Sequence, residues 1–158
     1  MQAFAGHSDA INAVALSPDG KYAATGSADT TARLWDTASG KELKRFTGHT
    51  GVVRYVSFSP DVKFLLTSGD GNTARVWDIS TGREVRRFVN EKNPIMSSAY
   101  SPDGKWMLTM LSDGSAQVWQ ADYHDAVHDL CGKLLRDFTD DERTQYEIKD
   151  NKPTCPKQ

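Results

Sequence analysis

The chain has 158 residues, with 19 Lys+Arg against 21 Asp+Glu and a formal net charge of −2, so no global basic field points toward nucleic acid. No apolar run approaches the roughly 20 residues needed to span a bilayer. The N-terminus MQAFAGHSDA lacks the basic and apolar regions of a secretory signal. Two cysteines, Cys131 and Cys155, are too few for a disulfide scaffold, and the expected setting is the cytoplasm, with both thiols free.

Periodicity governs the first three quarters of the chain. Ser-Pro-Asp begins at Ser17, Ser59 and Ser101, and a tryptophan follows at Trp35, Trp77 and Trp119, each series spaced by 42 residues. Gly6-His7 recurs as Gly48-His49 at the same spacing, and Asn90-Glu91 takes its place in the third period. Taken in chain order, the periods are about 5–46, 47–89 and 90–120, each expected as four short strands with turns between them. The second is the plainest. Val52 to Phe58 is an apolar-rich run stopped by Ser59-Pro60-Asp61, and Lys63 to Thr67 follows. Beyond the turn Gly69-Asp70-Gly71-Asn72 come Thr73 to Trp77 and then Glu84 to Phe88. Runs this short, rich in β-branched and aromatic residues, predict strands. Gly20 and Gly104 close the Ser-Pro-Asp turns, and Val62 in the second copy predicts a slightly different turn.

The blocks GHSDAINAVALSPDGKYAATGSADTTARLWD and GHTGVVRYVSFSPDVKFLLTSGDGNTARVWD resemble WD40 repeats. The resemblance covers residues 1–120 and implies an all-β fold, a partial WD40 β-propeller of three blades, the last incomplete or completed by the N-terminal segment. It also implies a hydrogen-bond network inside each blade. In the first the candidates are His7, Thr25 (or Ser27), Asp29 and Trp35. In the second they are His49, Thr67 and Trp77, with Gly71 at the Asp position and Asp70 beside it. The third has Thr109, Asp113 and Trp119, with Glu91 in place of the histidine. Buried indole and imidazole groups need partners, and a set that recurs in every blade is scaffold, whereas a catalytic triad occurs once.

WD40 proteins typically meet partners through the loops entering the innermost strand and the turn between the second and third strands. By position this implies Ala10, Asn12 and Ala28 in the first blade, Val52, Arg54 and Asp70 in the second, and Pro94, Met96 and Ser112 in the third. Arg and Met suit interfaces best. The expected function is therefore a protein-interaction scaffold with a protein or peptide partner, without catalysis, cofactor, nucleic acid or membrane. Lys44-Arg45 and Arg86-Arg87 fall on expected outer strands, where charge discourages edge pairing. Three blades do not close a ring, since propellers need about four to eight. The chain then reads either as part of a longer propeller or as a half ring whose copies pair through open blade edges.

Residues 121–158 break the period and carry 6 Lys+Arg against 9 Asp+Glu, so the mild acidity lies there. Asp125 to Phe138 is expected as a helix with an apolar stripe through Ala126, Val127, Leu130, Leu134 and Leu135. A capping box at Thr139–Glu142 predicts a second, short helix. The string CGKLLRDFTDDERTQYEI resembles C-terminal segments that follow repeats in some bacterial proteins, which implies a larger bacterial signalling or regulatory protein. His124, His128 and Cys131 share one face of the expected helix and open a metal-dependent enzyme as an alternative, although no fourth ligand is evident.

Overall fold

Apolar residues alternating with polar ones, between turns built on Ser-Pro-Asp and glycine, fold as eleven strands in the computed structural model, which describes residues 3–90 and 92–121. The expected tail helices, the cysteines, Glu91 and the metal candidates lie outside the described residues. The first sheet comprises β1 (Ile11–Leu16), β2 (Tyr22–Ser27), β3 (Ala32–Asp36) and β4 (Glu42–Phe46). The second comprises β5 (Val53–Phe58), β6 (Phe64–Gly69), β7 (Thr73–Asp78) and β8 (Glu84–Val89). The third has β9 (Ile95–Tyr100), β10 (Trp106–Leu111) and β11 (Ala116–Gln120), three strands among the described residues. Within each sheet, neighbours in sequence are neighbours in space and run antiparallel, so every sheet is a meander.

Sheets stack in chain order. The core between the first two holds Ala24, Leu34 and Phe46 from one side and Val53, Phe58, Leu65 and Trp77 from the other. Glycine makes the close approach possible: a Cβ on Gly26 would stand 2.7 Å from Val53 Cγ1. A second recurring contact sends a phenylalanine from the segment before each sheet onto that sheet's tryptophan. Phe4 meets Trp35 at 5.7 Å between ring centroids, Phe46 meets Trp77 at 5.5 Å, and Phe88 meets Trp119 at 4.9 Å.

The expectation for Val62 is corrected. Its φ of 60° matches the 72° of Gly20 and Gly104, and its N–H donates to the Ser59 carbonyl at 2.9 Å as theirs do to Ser17 and Ser101. The turn is held by its polar bracket. Ser59 Oγ donates to Asp61 Oδ1 at 2.7 Å, and the same oxygens receive the Lys63 and Phe64 amides. Identical brackets sit at Ser17-Asp19 and Ser101-Asp103. The bracket, together with packing of Val62 against the core, outweighs the left-handed strain of a β-branched residue, about 1–2 kcal/mol.

Candidate functional site

Hydrogen bonding explains the repeated polar residues first. In the first sheet Trp35 Nε1–H donates to Thr25 Oγ1 at 2.9 Å, and that hydroxyl lies 2.6 Å from His7 Nε2. His7 Nδ1 is 2.8 Å from Asp29 Oδ2. An ionised carboxylate can only accept, so His7 Nδ1–H donates to Asp29. Burial alone would raise the Asp29 pKa. The Thr31 hydroxyl, His7 and the Thr31 and Ser8 amides outweigh it and hold this carboxyl well below the usual range. Ser27 stands apart from the Thr25 relay, bonding the Asp9 carbonyl and the Asp29 amide.

The second sheet repeats the relay without the carboxylate. Trp77 Nε1–H donates to Thr67 Oγ1 at 2.8 Å, and His49 Nε2 lies 2.7 Å from the same oxygen. Burial first, then the Arg75 guanidinium, push His49 down to about 4, so it is neutral at physiological pH. Asp70 does not substitute for Asp29. It turns outward to form a bidentate pair with Arg54, at 2.7 and 2.8 Å. In the third sheet Trp119 Nε1–H donates to Thr109 at 2.9 Å, while Asp113 accepts from Asn93 Nδ2 at 2.6 Å and from Ser115. Asn93 is a participant that spacing did not reveal, because it lies two residues beyond the expected position.

A row of exposed side chains lies at one end of the sheets. The first pairing of each sheet carries a β-bulge. Ile11 pairs with Ser27 and Ala13 with Gly26, leaving Asn12 as the extra residue. Val53 pairs with Gly69 and Tyr55 with Ser68, leaving Arg54. Ile95 pairs with Leu111 and Ser97 with Met110, leaving Met96. All three extra residues are exposed. A bulge leaves one residue outside the ladder, bends the strand locally and re-aims that side chain. At Gly69 the bulge is so tight that a Cβ would stand 1.9 Å from the Val52 carbonyl oxygen.

One backbone hydrogen bond clasps the remaining candidates beside each bulge. Ala28 N–H donates to the Ala10 carbonyl at 2.9 Å, Asp70 to Val52 at 2.9 Å, and Ser112 to Pro94 at 3.0 Å. Asn12 Nδ2 reaches the Ala10 carbonyl at 3.2 Å. The structure therefore brings each trio together within its own sheet. Lys44 and Arg45 on β4, and Arg86 and Arg87 on β8, lie on the edge of each sheet opposite the bulged strands β1 and β5. Among the described residues no cluster of three or more His, Cys, Asp and Glu could hold a metal ion, and no helix is long and apolar enough to cross a membrane.

Antiparallel meanders stacked in sequence, each with a Trp–Thr hydrogen bond that a histidine joins in the first two, define blades of a β-propeller. The family described as "WD domain, G-beta repeat" matches residues 1–36, 40–78 and 82–120, and the chain belongs to this WD40 family. The matched repeats are offset from the sheets, since the second and third begin with the outer strands β4 and β8 of the preceding blade. Similar proteins include the Notchless protein homolog of Arabidopsis thaliana, 60% identical over 35 residues, or 22% of this chain and 7% of that protein. Protein Mut11 of Chlamydomonas reinhardtii is 55% identical over 38 residues, 24% of this chain and 10% of its own length. Small ribosomal subunit protein RACK1 of Drosophila melanogaster is 61% identical over 36 residues, 23% of this chain and 11% of that protein. Each match is about one repeat long, so the matched segment spans about a tenth of the length of these relatives.

Proposed function

We propose that the chain is a protein-interaction scaffold that recognises a protein or peptide through the bulged end of its blades. The observation that carries this reading is the placement of Asn12, Arg54 and Met96. Three register-equivalent bulges present an amide, a guanidinium and a thioether to solvent on a backbone that otherwise repeats. A repeated frame with unlike side chains at one exposed position is how a rigid surface acquires specificity. Val52, Asp70, Pro94 and Ser112 form the adjacent rim, and Asp70 orients Arg54 for a carboxylate or an aromatic face on the partner. The RACK1 relatives are named as proteins of the small ribosomal subunit, a multi-protein assembly, which fits a scaffold role.

This reading assigns the chain no catalysis. The His, Thr and Asp groups resembling a hydrolase set are engaged in the relay to tryptophan, and the carboxylate position is Gly71 in the second blade. The chain acts in the cytoplasm within a larger bacterial signalling or regulatory protein, the context implied by its C-terminal segment. The Plantae, algal and insect relatives match single repeats and say nothing of that segment.

The test is capture of partners on the immobilised full chain, repeated with Arg54→Glu and Met96→Lys, and with Lys105→Glu at the turn between β9 and β10 as control. The expected result is loss of the captured protein in the first two variants, with melting temperatures unchanged and capture by the control intact. Capture that survives both bulge variants and fails in the control would place recognition elsewhere.

A further inference from the structure

Between the first two blades, at the end of the strands opposite the bulges, lies a cleft of about 530 Å³. It is framed by the outer strand β4 of one blade and by the β5–β6 and β7–β8 turns of the next. Its volume falls within the roughly 300–1,000 Å³ of ligand sites. Leu34 from the first blade and Ile79 from the second, both buried, form its floor. The Ile79 amide donates to the Lys63 carbonyl at 2.9 Å, which ties the two turns of the second blade together beneath the cleft.

Three departures from regular geometry shape the walls. Leu34 pairs with Lys44 and Trp35 with Glu42, so Leu43 is the extra residue of a bulge in β4. Neighbours on a regular strand point to opposite faces, yet the bulge brings both Leu43 and Lys44 onto the cleft, with Leu43 still 45% exposed. Across the seam, Val62 holds the left-handed φ of 60° that glycine supplies in the equivalent turns, and its side chain lines the cleft. Strained residues of this kind concentrate where a surface clamps a ligand. Gly82, at φ 76°, gives the Lys44 stem room to cross the seam, since a Cβ there would stand 3.3 Å from Lys44 Cδ.

Charge selects the occupant. Among the described residues Lys44 has no carboxylate partner. Lys63, exposed at the mouth, adds a second cation that Asp61 steadies at 3.1 Å. Asp78, the carboxylate among the lining residues, is engaged within its own turn, accepting from Ser80 Oγ at 2.6 Å and from the Thr81 amide at 2.8 Å. At the position of Lys44 in the next blade, Arg86 lies over the Phe88 ring at 4.5 Å, so the first cleft alone keeps its cation for a ligand. We infer that this cleft is a second docking site, for an extended acidic segment of a partner protein. One large apolar side chain of that segment packs on Leu34 and Ile79, and a neighbouring carboxylate meets Lys44. The cleft and the bulged end occupy opposite ends of the blades, so either can fail alone.

Fluorescence anisotropy of the full chain with short labelled peptides, each a run of aspartates around one central leucine, phenylalanine or tryptophan, tests this. At least one is expected to bind in the micromolar range, weakening about 3-fold or more as salt rises from about 50 to 300 mM. Lys44→Glu and Leu43→Asp should each raise its Kd about 10-fold or more, while Arg54→Glu at the bulged end leaves it unchanged. Lys44→Met keeps the apolar stem and removes the charge, so it should flatten the salt dependence. It also replaces Lys44→Glu should that variant fail to fold by circular dichroism. The inference is overturned if none of the three peptides binds, or if binding survives the Lys44 variants with its salt dependence intact. Equal binding of an all-aspartate peptide overturns it too, and so does loss on Arg54→Glu, which would move the peptide to the bulged end.

Discussion

Replacing Thr67 with valine exchanges one oxygen for one methyl group of nearly the same shape at a fully buried site. Two partners lose their acceptor or donor at once, Trp77 Nε1–H at 2.8 Å and His49 Nε2 at 2.7 Å. Each buried polar group left unsatisfied costs about 1–3 kcal/mol, and because the two share one oxygen the combined loss is about 2–4 kcal/mol. For a domain of this size that corresponds to a fall in Tm of about 4–16 °C. Thr25→Val, which strands Trp35 and His7, belongs with it. Among the described residues Thr109→Val strands the half-buried Trp119 indole alone, a loss of about 1 kcal/mol, or about 2–4 °C. Melting followed by circular dichroism and tryptophan fluorescence checks the order. If Thr67→Val melts within about 2 °C of the wild type, or if Thr109→Val loses as much, the relay is not what holds the blades.

Acid should unfold the protein in a window set by His49. The unfolded chain takes up a proton below pH 6.5, while the folded chain excludes it until pH falls to about 4. Stability is therefore lost as pH drops through that window, by on the order of 3 kcal/mol, and urea titrations of His49→Gln should show this dependence flattened. Asp29 contributes below it. Its carboxyl is held down in the fold, so its share of stability is present above about pH 4 and disappears as it protonates, a component Asp29→Asn removes from acid titrations. Gly69→Ala places a Cβ on the Val52 carbonyl, opens the bulge at Arg54 and costs about 3 kcal/mol or more, measurable by urea denaturation. Arg54→Ala, on a fully exposed side chain, should leave the urea midpoint where it is.

Much of the architecture was legible because the 42-residue register carries physical demands. Tryptophan needs a buried acceptor, which Thr25, Thr67 and Thr109 supply at a fixed offset, and glycine or Ser-Pro-Asp marks where strands must turn. Other features were not legible. Val62 looked like a changed turn because the residue changed, yet the Ser59–Asp61 bracket sets the conformation from outside it. Asp70 was legible as a rim candidate beside Gly71, but not its pairing with Arg54, which reaches it from the neighbouring strand, a cross-strand contact that no spacing along one strand displays. The bulges leave only a faint trace, the glycines at 26 and 69, and the third, opposite Met110, leaves none. Asn93 escaped notice because the loop before β9 departs from the register of the other two.

The central claim is that recognition belongs to the bulged end of the blades and that the buried polar groups serve the frame. Hydrogen exchange of the full chain with and without a captured partner tests it most directly. New protection is expected around residues 10–12, 52–54 and 94–96 and at the turns near 28, 70 and 112, with the rest of each strand unchanged. Protection confined to β4 and β8, with the bulges exchanging as before, would contradict it.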